Sequence, residues 1–185
     1  MRTSSRHAAA WPLLALAVSL AHAGLAGAAD AQLVMRAAAR SLTGLPGVRV
    51  AVGQLTPEAI DGGLDSVGLR TTIELELRRA GIRVFHDEEV RLQPEVGVLF
   101  VNLVVMREQA TGGYVYRAKM ELRQDVRLAR DPNVTLPATT WSARDAVIAL
   151  GGRFSLRDDV AGTHRAQVAE FLNDYFTANP RTAAR

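Results

Sequence analysis

His86, Asp87, Glu88 and Glu89 form the one run of adjacent side chains with metal-ligating chemistry. They stand at the end of a predicted strand, where consecutive side chains alternate in direction, so at most two can reach one ion. No distant histidine pattern completes a ligand set, and solvated loop charges with no metal are expected. His164 falls on the apolar stripe of a C-terminal helical pattern. No serine or acid stands at a spacing that marks it as a partner, so a hydrogen-bonded, half-buried histidine is expected there rather than a catalytic base. No residue is therefore assigned a catalytic role.

Two further groups point to binding. Gly62 and Gly63 precede a predicted helix, whose N-terminal amides could cradle a phosphate or similar group. The Gly-x-Gly-x-x-Gly spacing and the Walker lysine are missing, so Gly62 and Gly63 are candidate ligand-binding positions without a cofactor, and none is expected. Arg117, Lys119 and Arg123 alternate with Tyr116, Met120 and Leu122 along a predicted strand. That parity aims the three cations away from the core, as a candidate partner-binding row. Tyr114, Tyr116 and Trp141 could stack on a ligand, but the tyrosines share the parity of Met120 and Leu122, and core packing is expected.

The elements that carry these residues belong to a chain of 185 residues with 22 Lys plus Arg, 19 Asp plus Glu, 48% hydrophobic residues and no cysteine. Without cysteine there is no disulfide framework, thiolate zinc site or cysteine nucleophile. Residues 1–28 have the form of a secretory signal peptide: Arg2 and Arg6, an apolar run from Ala8 to Leu20, and the small-residue site Ala26-Gly27-Ala28. Pro12, Ser19 and His22 interrupt that run before the roughly 20 apolar residues a membrane span needs. A periplasmic location follows as the expectation, with no transmembrane helix in the mature chain. Loss of Arg2 and Arg6 lowers the net charge from +3 to +1. Lys119 is the only lysine, and the remaining bases show no dense cluster of the kind that displaces counterions from nucleic acid, so no nucleic-acid partner is expected.

After a helical lead-in at 29–46, one α/β domain is predicted over 47–179, with a disordered tail at 180–185. Val48, Val50 and Val52 alternate as a strand; Thr56 to Gly63 form a loop; Leu64 to Ala80 carry an amphipathic pattern with Leu64, Val67, Leu69, Ile73 and Leu77 inward and Glu74 on the wet side. Gly81 caps that helix, and Ile82, Val84 and His86 begin a second strand, making a βαβ unit with parallel strands. Val96 to Met106 is apolar on both parities, which predicts a strand covered on both faces, with Asn102 buried and hydrogen-bonded. A long hairpin strand follows, then a loop from Asp131 to Pro137 and a further strand from Thr140 to Leu150 that begins at Trp141. Ser155 and Asp158 open a last helix with Val160, His164, Val168, Phe171 and Tyr175 inward, and Asn179-Pro180 ends it. The fold class expected is α/β with a mixed sheet and two main helices packed on it.

This order of elements resembles the small α/β domains of envelope-assembly proteins, such as the N-terminal domain of the Tol-Pal translocation protein and the outer-membrane activators of penicillin-binding proteins. The resemblance rests on Val48-Arg49-Val50-Ala51-Val52, on Leu77-Arg78-Arg79-Ala80-Gly81-Ile82 and on the closing helix from Phe171 to Phe176, and spans about residues 45 to 178. The lipid-attachment cysteine of the lipoprotein activators is missing, and no functional residue transfers. The expectation is a non-enzymatic periplasmic interaction module that docks another envelope protein. A small-molecule or glycan binding protein using a pocket beside Gly62-Gly63 is the alternative, and a hydrolase comes third for want of a nucleophile and base pair.

Overall fold

Valines at alternate positions 48, 50 and 52 extend the chain into β1 (Val48–Val52), and the rest of the architecture is laid down around it. The computed structural model describes residues 37–90, 93, 95–110, 112–150 and 155–180. The segment expected to be a signal peptide and the tail beyond Pro180 lie outside the described residues. The chain divides into Met1–Ala37, of which only Ala37 is described, and Ala38–Arg185. In the second unit β1 is followed by α1 (Pro57–Asp61), α2 (Ser66–Arg79), α3 (Asp87–Val90), β2 (Gly97–Arg107), β3 (Tyr114–Leu128), β4 (Asp131–Ser142), β5 (Ala146–Leu150) and α4 (Leu156–Ala178).

The five strands make one mixed sheet that stays open rather than closing into a barrel. β1 and β2 are parallel, with Val50 opposite Leu99; β2 and β3 are antiparallel, with Leu103 opposite Ala118. β4 and β5 share the other edge of β3, β5 along Tyr114–Ala118 and β4 along Glu121–Leu128. The hairpin runs beyond β2, since Arg123 is the last β3 residue that pairs with it.

α2 and α4 cover one face of this sheet. Leu69, Ile73 and Leu77 recur once per turn on α2, while Val160, His164, Val168 and Phe171 form the stripe of α4. Ile73, Leu77, Val168 and Phe171 meet Val48, Val50, Leu99, Val101, Met120 and Leu122 from the sheet, while Leu69 and Val160 pack with Leu103, Val105, Tyr116 and Ala118. Asp65 caps α2 by accepting from Gly68 N at 2.6 Å, and Ser155 caps α4 by accepting from Asp158 N at 3.3 Å. Trp141 packs edge-on to Phe171 with centroids 5.2 Å apart and donates from Nε1 to Asp174 at 2.9 Å. Asn179 closes α4 by donating to Tyr175 O and Leu42 O, while its Oδ1 accepts from Gly44 N, so the segment of Leu42 and Leu45 is packed onto this core.

The fold class stands as expected, but several elements differ. Ile82 to His86 makes no strand, only a single parallel bridge between Val84 and Val48, because Phe85 turns fully into the core and the chain enters α3 at Asp87. The parallel partner of β1 is β2. Thr56 to Gly63 is not all loop: Pro57 presets φ at the first turn of α1, which buries Ala59. Asp131 to Pro137 lies within β4, where two prolines are tolerated because an edge strand leaves one row of amides without a partner strand. Trp141 stands near the end of β4 rather than opening a strand, and β5 is separate. On α2 the wet and dry sides are shifted: Val67 is 72% exposed, whereas Glu74 is buried. Leu64, just before the N-cap, is buried as expected, so Val67 alone of the five residues expected inward turns out. Glu74 accepts from Arg70 Nε at 2.7 Å and Arg78 Nη2 at 2.9 Å, and although burial opposes it, these bonds hold its carboxyl below the usual range.

Candidate functional site

β2 is not covered on both faces. Its odd residues, Leu99, Val101, Leu103 and Val105, are buried under the helices, but Val104 and Met106 on the other parity are 40% and 59% exposed. Asn102 is exposed too, so the expectation of a buried, bonded asparagine is corrected. Residues directly opposite on neighbouring strands share a face. Val104, Arg117 and Val147 therefore form one row across β2, β3 and β5, and Met106, Val115 and Ala149 the next. Val147 is 67% exposed. Together they make an apolar patch on the sheet face opposite α2 and α4.

The same face carries ordered charge beside the patch. Lys119 and Arg123 both bind Glu121, the latter at 3.2 Å, and Arg123 also stacks 3.9 Å from the Phe100 ring centre. Burial would raise the Glu121 carboxyl, but its bonds to Lys119 and Arg123 outweigh it and hold the group below the usual carboxylate range. Arg117 turns instead to Asp145. The three cations of this row thus face two acids and are held in place by them.

A second feature sits on the helix side. A cavity of about 110 Å³ opens between α2 and α4, and Gly63, with φ +83°, lines it beside His164. Gly62 does not line it. A side chain at Gly62 would place Cβ 2.5 Å from Leu156 Cδ2, so this glycine lets the start of α4 approach α1. His164 is 3% exposed; its Nδ1 lies 3.1 Å from Gln167 Oε1, and its Nε2 has no partner. Burial holds the imidazole below its ordinary value, against the opposing bond to Gln167. Nearby, Tyr116 donates to Asp159 and lies 2.7 Å from Thr163 Oγ1; burial first, and Asp159 second, push its phenol up to about 12.

The His164 shift fixes a pH dependence. A histidine whose folded value lies below the unfolded one contributes stability above about pH 6.5 that is lost as pH falls toward the folded value. Between pH 7.5 and 5.5 the wild type should lose up to about 1.4 kcal/mol more than His164→Gln in urea melts. Equal losses in both proteins would contradict the assignment.

Of the residues singled out by sequence, Lys119 and Arg123 converge on one carboxylate, Arg117 stands in the apolar rows, and Gly63 reaches the cavity while Gly62 is structural. His86 to Glu89 do not form a ligand cluster: Asp87 bonds Arg49 at 2.7 Å and Glu89 accepts from His86 N at 2.8 Å. Among the described residues no group of three or more His, Asp or Glu side chains is placed to hold a metal ion. Sequence reasoning missed Val104, Met106 and Val147, whose exposure would have followed from pairing β2 against the wet parity of β3.

No protein-family model matches the chain, and no curated protein matches it. Among solved structures it is similar to the dodecamer of a PelC variant from Paraburkholderia phytofirmans, at 20% identity over 72% of this chain and 92% of that chain, with a TM-score of 0.41.

Proposed function

We propose that the chain is a secreted, non-enzymatic interaction module of the bacterial cell envelope, and that it docks a protein partner on the open face of its sheet. The observation that carries this reading is the face itself: Val104, Met106 and Val147 stand 40–67% exposed on adjacent strands with no long helix of the described residues against them. Four strand positions about 4.8 Å apart and roughly 35 Å long present about 600–700 Å², close to the ~800 Å² each partner gives to a standard interface. The partner fits an apolar centre with an acidic rim, because Arg117, Lys119, Arg123 and Arg127 outnumber Glu121, Asp125 and Asp145 on this face. The leader at residues 1–28 supports secretion into the periplasm. Among the described residues no helix is long and apolar enough to cross a membrane. His164 bonds an amide rather than a hydroxyl nucleophile, which favours docking over hydrolysis.

Reversing Arg123 is a poor test, since it would set a second carboxylate against the buried Glu121. Met106→Glu with Val147→Glu places charge in the apolar patch at positions that support nothing in the core. In crosslinked capture from periplasm with mass-spectrometric identification, this variant should lose its partner at least about tenfold while its urea midpoint stays near wild type. Undiminished capture of the same protein would overturn the proposal.

A further inference from the structure

We propose that a second copy of this chain pairs antiparallel with the free edge of β5, with Ile148 on the two-fold axis between the copies. The inference concerns the edge of the sheet and stands apart from the docking face. Its first support is the direction of the main-chain groups. Ala143 N donates to Met120 O at 3.0 Å, so the even residues of β3 turn their polar groups away from β2. Gly113 O, of the other parity, accepts from Glu108 N at 2.8 Å on the β2 side. Tyr116 lies opposite Ile148, whose own N–H and C=O therefore face β3. Val147 and Ala149 turn theirs outward, where β5 has no partner strand among the described residues.

Those outward groups match a second copy of themselves. With Ile148 opposite Ile148, Val147 of each copy lies opposite Ala149 of the other, and each such pair exchanges both its N–H···O=C bonds. The register keeps every side chain on its own face. The exposed Val147 and Ala149 stay on the open face, large beside small, and the half-buried Ile148 meets its twin on the helix side. The row of Val104, Arg117 and Val147 then runs on into Ala149, Val115 and Met106 of the second copy, which joins the two open faces. The two strands on this side of β3 differ in how they guard their edge. β4 holds Asp131, Pro132 and Pro137, residues that blunt an edge, whereas Ala146-Val147-Ile148-Ala149-Leu150 has neither proline nor charge. A strand of five residues is about 17 Å long, short of a standard interface, so the dimer is a weak one that forms as concentration rises.

The chain has no cysteine, so a single introduced thiol can be linked only between copies. In the proposed register the two Ile148 positions lie about 4.5 Å apart at Cα, within disulfide reach, while the two Val147 positions are out of step at about 7–8 Å. In a concentrated, oxidised solution of the mature chain, Ile148→Cys should form covalent dimer at least about tenfold faster than Val147→Cys, although Val147 is the more exposed side chain. Adding Ala149→Pro removes an outward N–H and no bond to β3. It should slow linkage of Ile148→Cys at least about tenfold while the urea midpoint stays near that of the single variant. Met106→Glu in the same background should leave the rate unchanged, because Met106 lies two strands from this edge. Equal or reversed rates at 147 and 148, no covalent dimer at either position, or a rate lowered by Met106→Glu and not by Ala149→Pro would overturn the proposal.

Discussion

Leu77→Asp is expected to cost about 4–5 kcal/mol, enough to unfold much of a domain whose whole stability falls in the usual range of about 5–15 kcal/mol. Leu77 is fully buried on α2 among Val48, Val50, Leu99 and Phe171, where a carboxylate would find neither water nor a cation. Two neighbours on the same helix calibrate the result. Val67→Asp, at a position 72% exposed, should cost less than about 0.5 kcal/mol. Glu74→Ala should fall between them, at about 1–2 kcal/mol, because it leaves Arg70 and Arg78 without the carboxylate they share. Urea melts of the three variants check the order. Equal losses at Val67 and Leu77 would mean that α2 presents a different face to the sheet.

Gly47→Ala should destabilise by about 3 kcal/mol, although it adds a single methyl group. Gly47 has φ +153°, a conformation that L residues rarely adopt, and a Cβ there would lie 2.3 Å from Arg83 O and 2.7 Å from Phe85 Cε2. That carbonyl receives the Val48 N–H at 3.0 Å, and Val48 O in turn receives Phe85 N–H at 2.9 Å. The methyl therefore has to push the 83–85 segment off the start of β1 or drive Phe85 from the core. Gly63→Ala is the internal comparison: it has a positive φ but open space around it, so only the backbone term of about 1 kcal/mol remains. If the two variants melt together, the close approach at Gly47 is not a constraint on folding.

β1, β3, α2 and α4 could be recognised in the sequence because each repeats its apolar residues at the period of its own geometry over several turns or pleats. The stretch from Ile82 to His86 has strand-like alternation as well, yet only Val84 pairs, since Phe85 turns into the core and the chain enters α3 at Asp87. Pro132 and Pro137 resembled loop signals, and only their place on an edge strand shows why a strand accepts them. β2 was the consequential misreading. Val98, Phe100, Val104 and Met106 are apolar whether a second layer covers them or not, so composition cannot separate a buried face from one kept open for a partner. The parity of Arg117, Lys119 and Arg123 was legible along β3, but Glu121 as the shared anchor of Lys119 and Arg123 was not, because a carboxylate on a wet parity gives no local sign of burial. His164 could be placed on its helix stripe. Its tautomer could not, because Gln167, which meets Nδ1, is oriented by Ala118 O and Arg144 O, far from it in the chain.

The central claim is that the open sheet face, rather than the helix layer, meets a partner. A photo-crosslinking residue placed singly at Met106, Val147, Val67 or Leu75 tests it in intact cells, since all four side chains are 44–72% exposed apolar positions and differ in the layer they occupy. Met106 and Val147 should give adducts with one and the same envelope protein, and Val67 and Leu75 should give none with it. Adducts to that protein from the helix positions, adducts only between copies of the chain, or no adduct from the sheet positions would contradict the account.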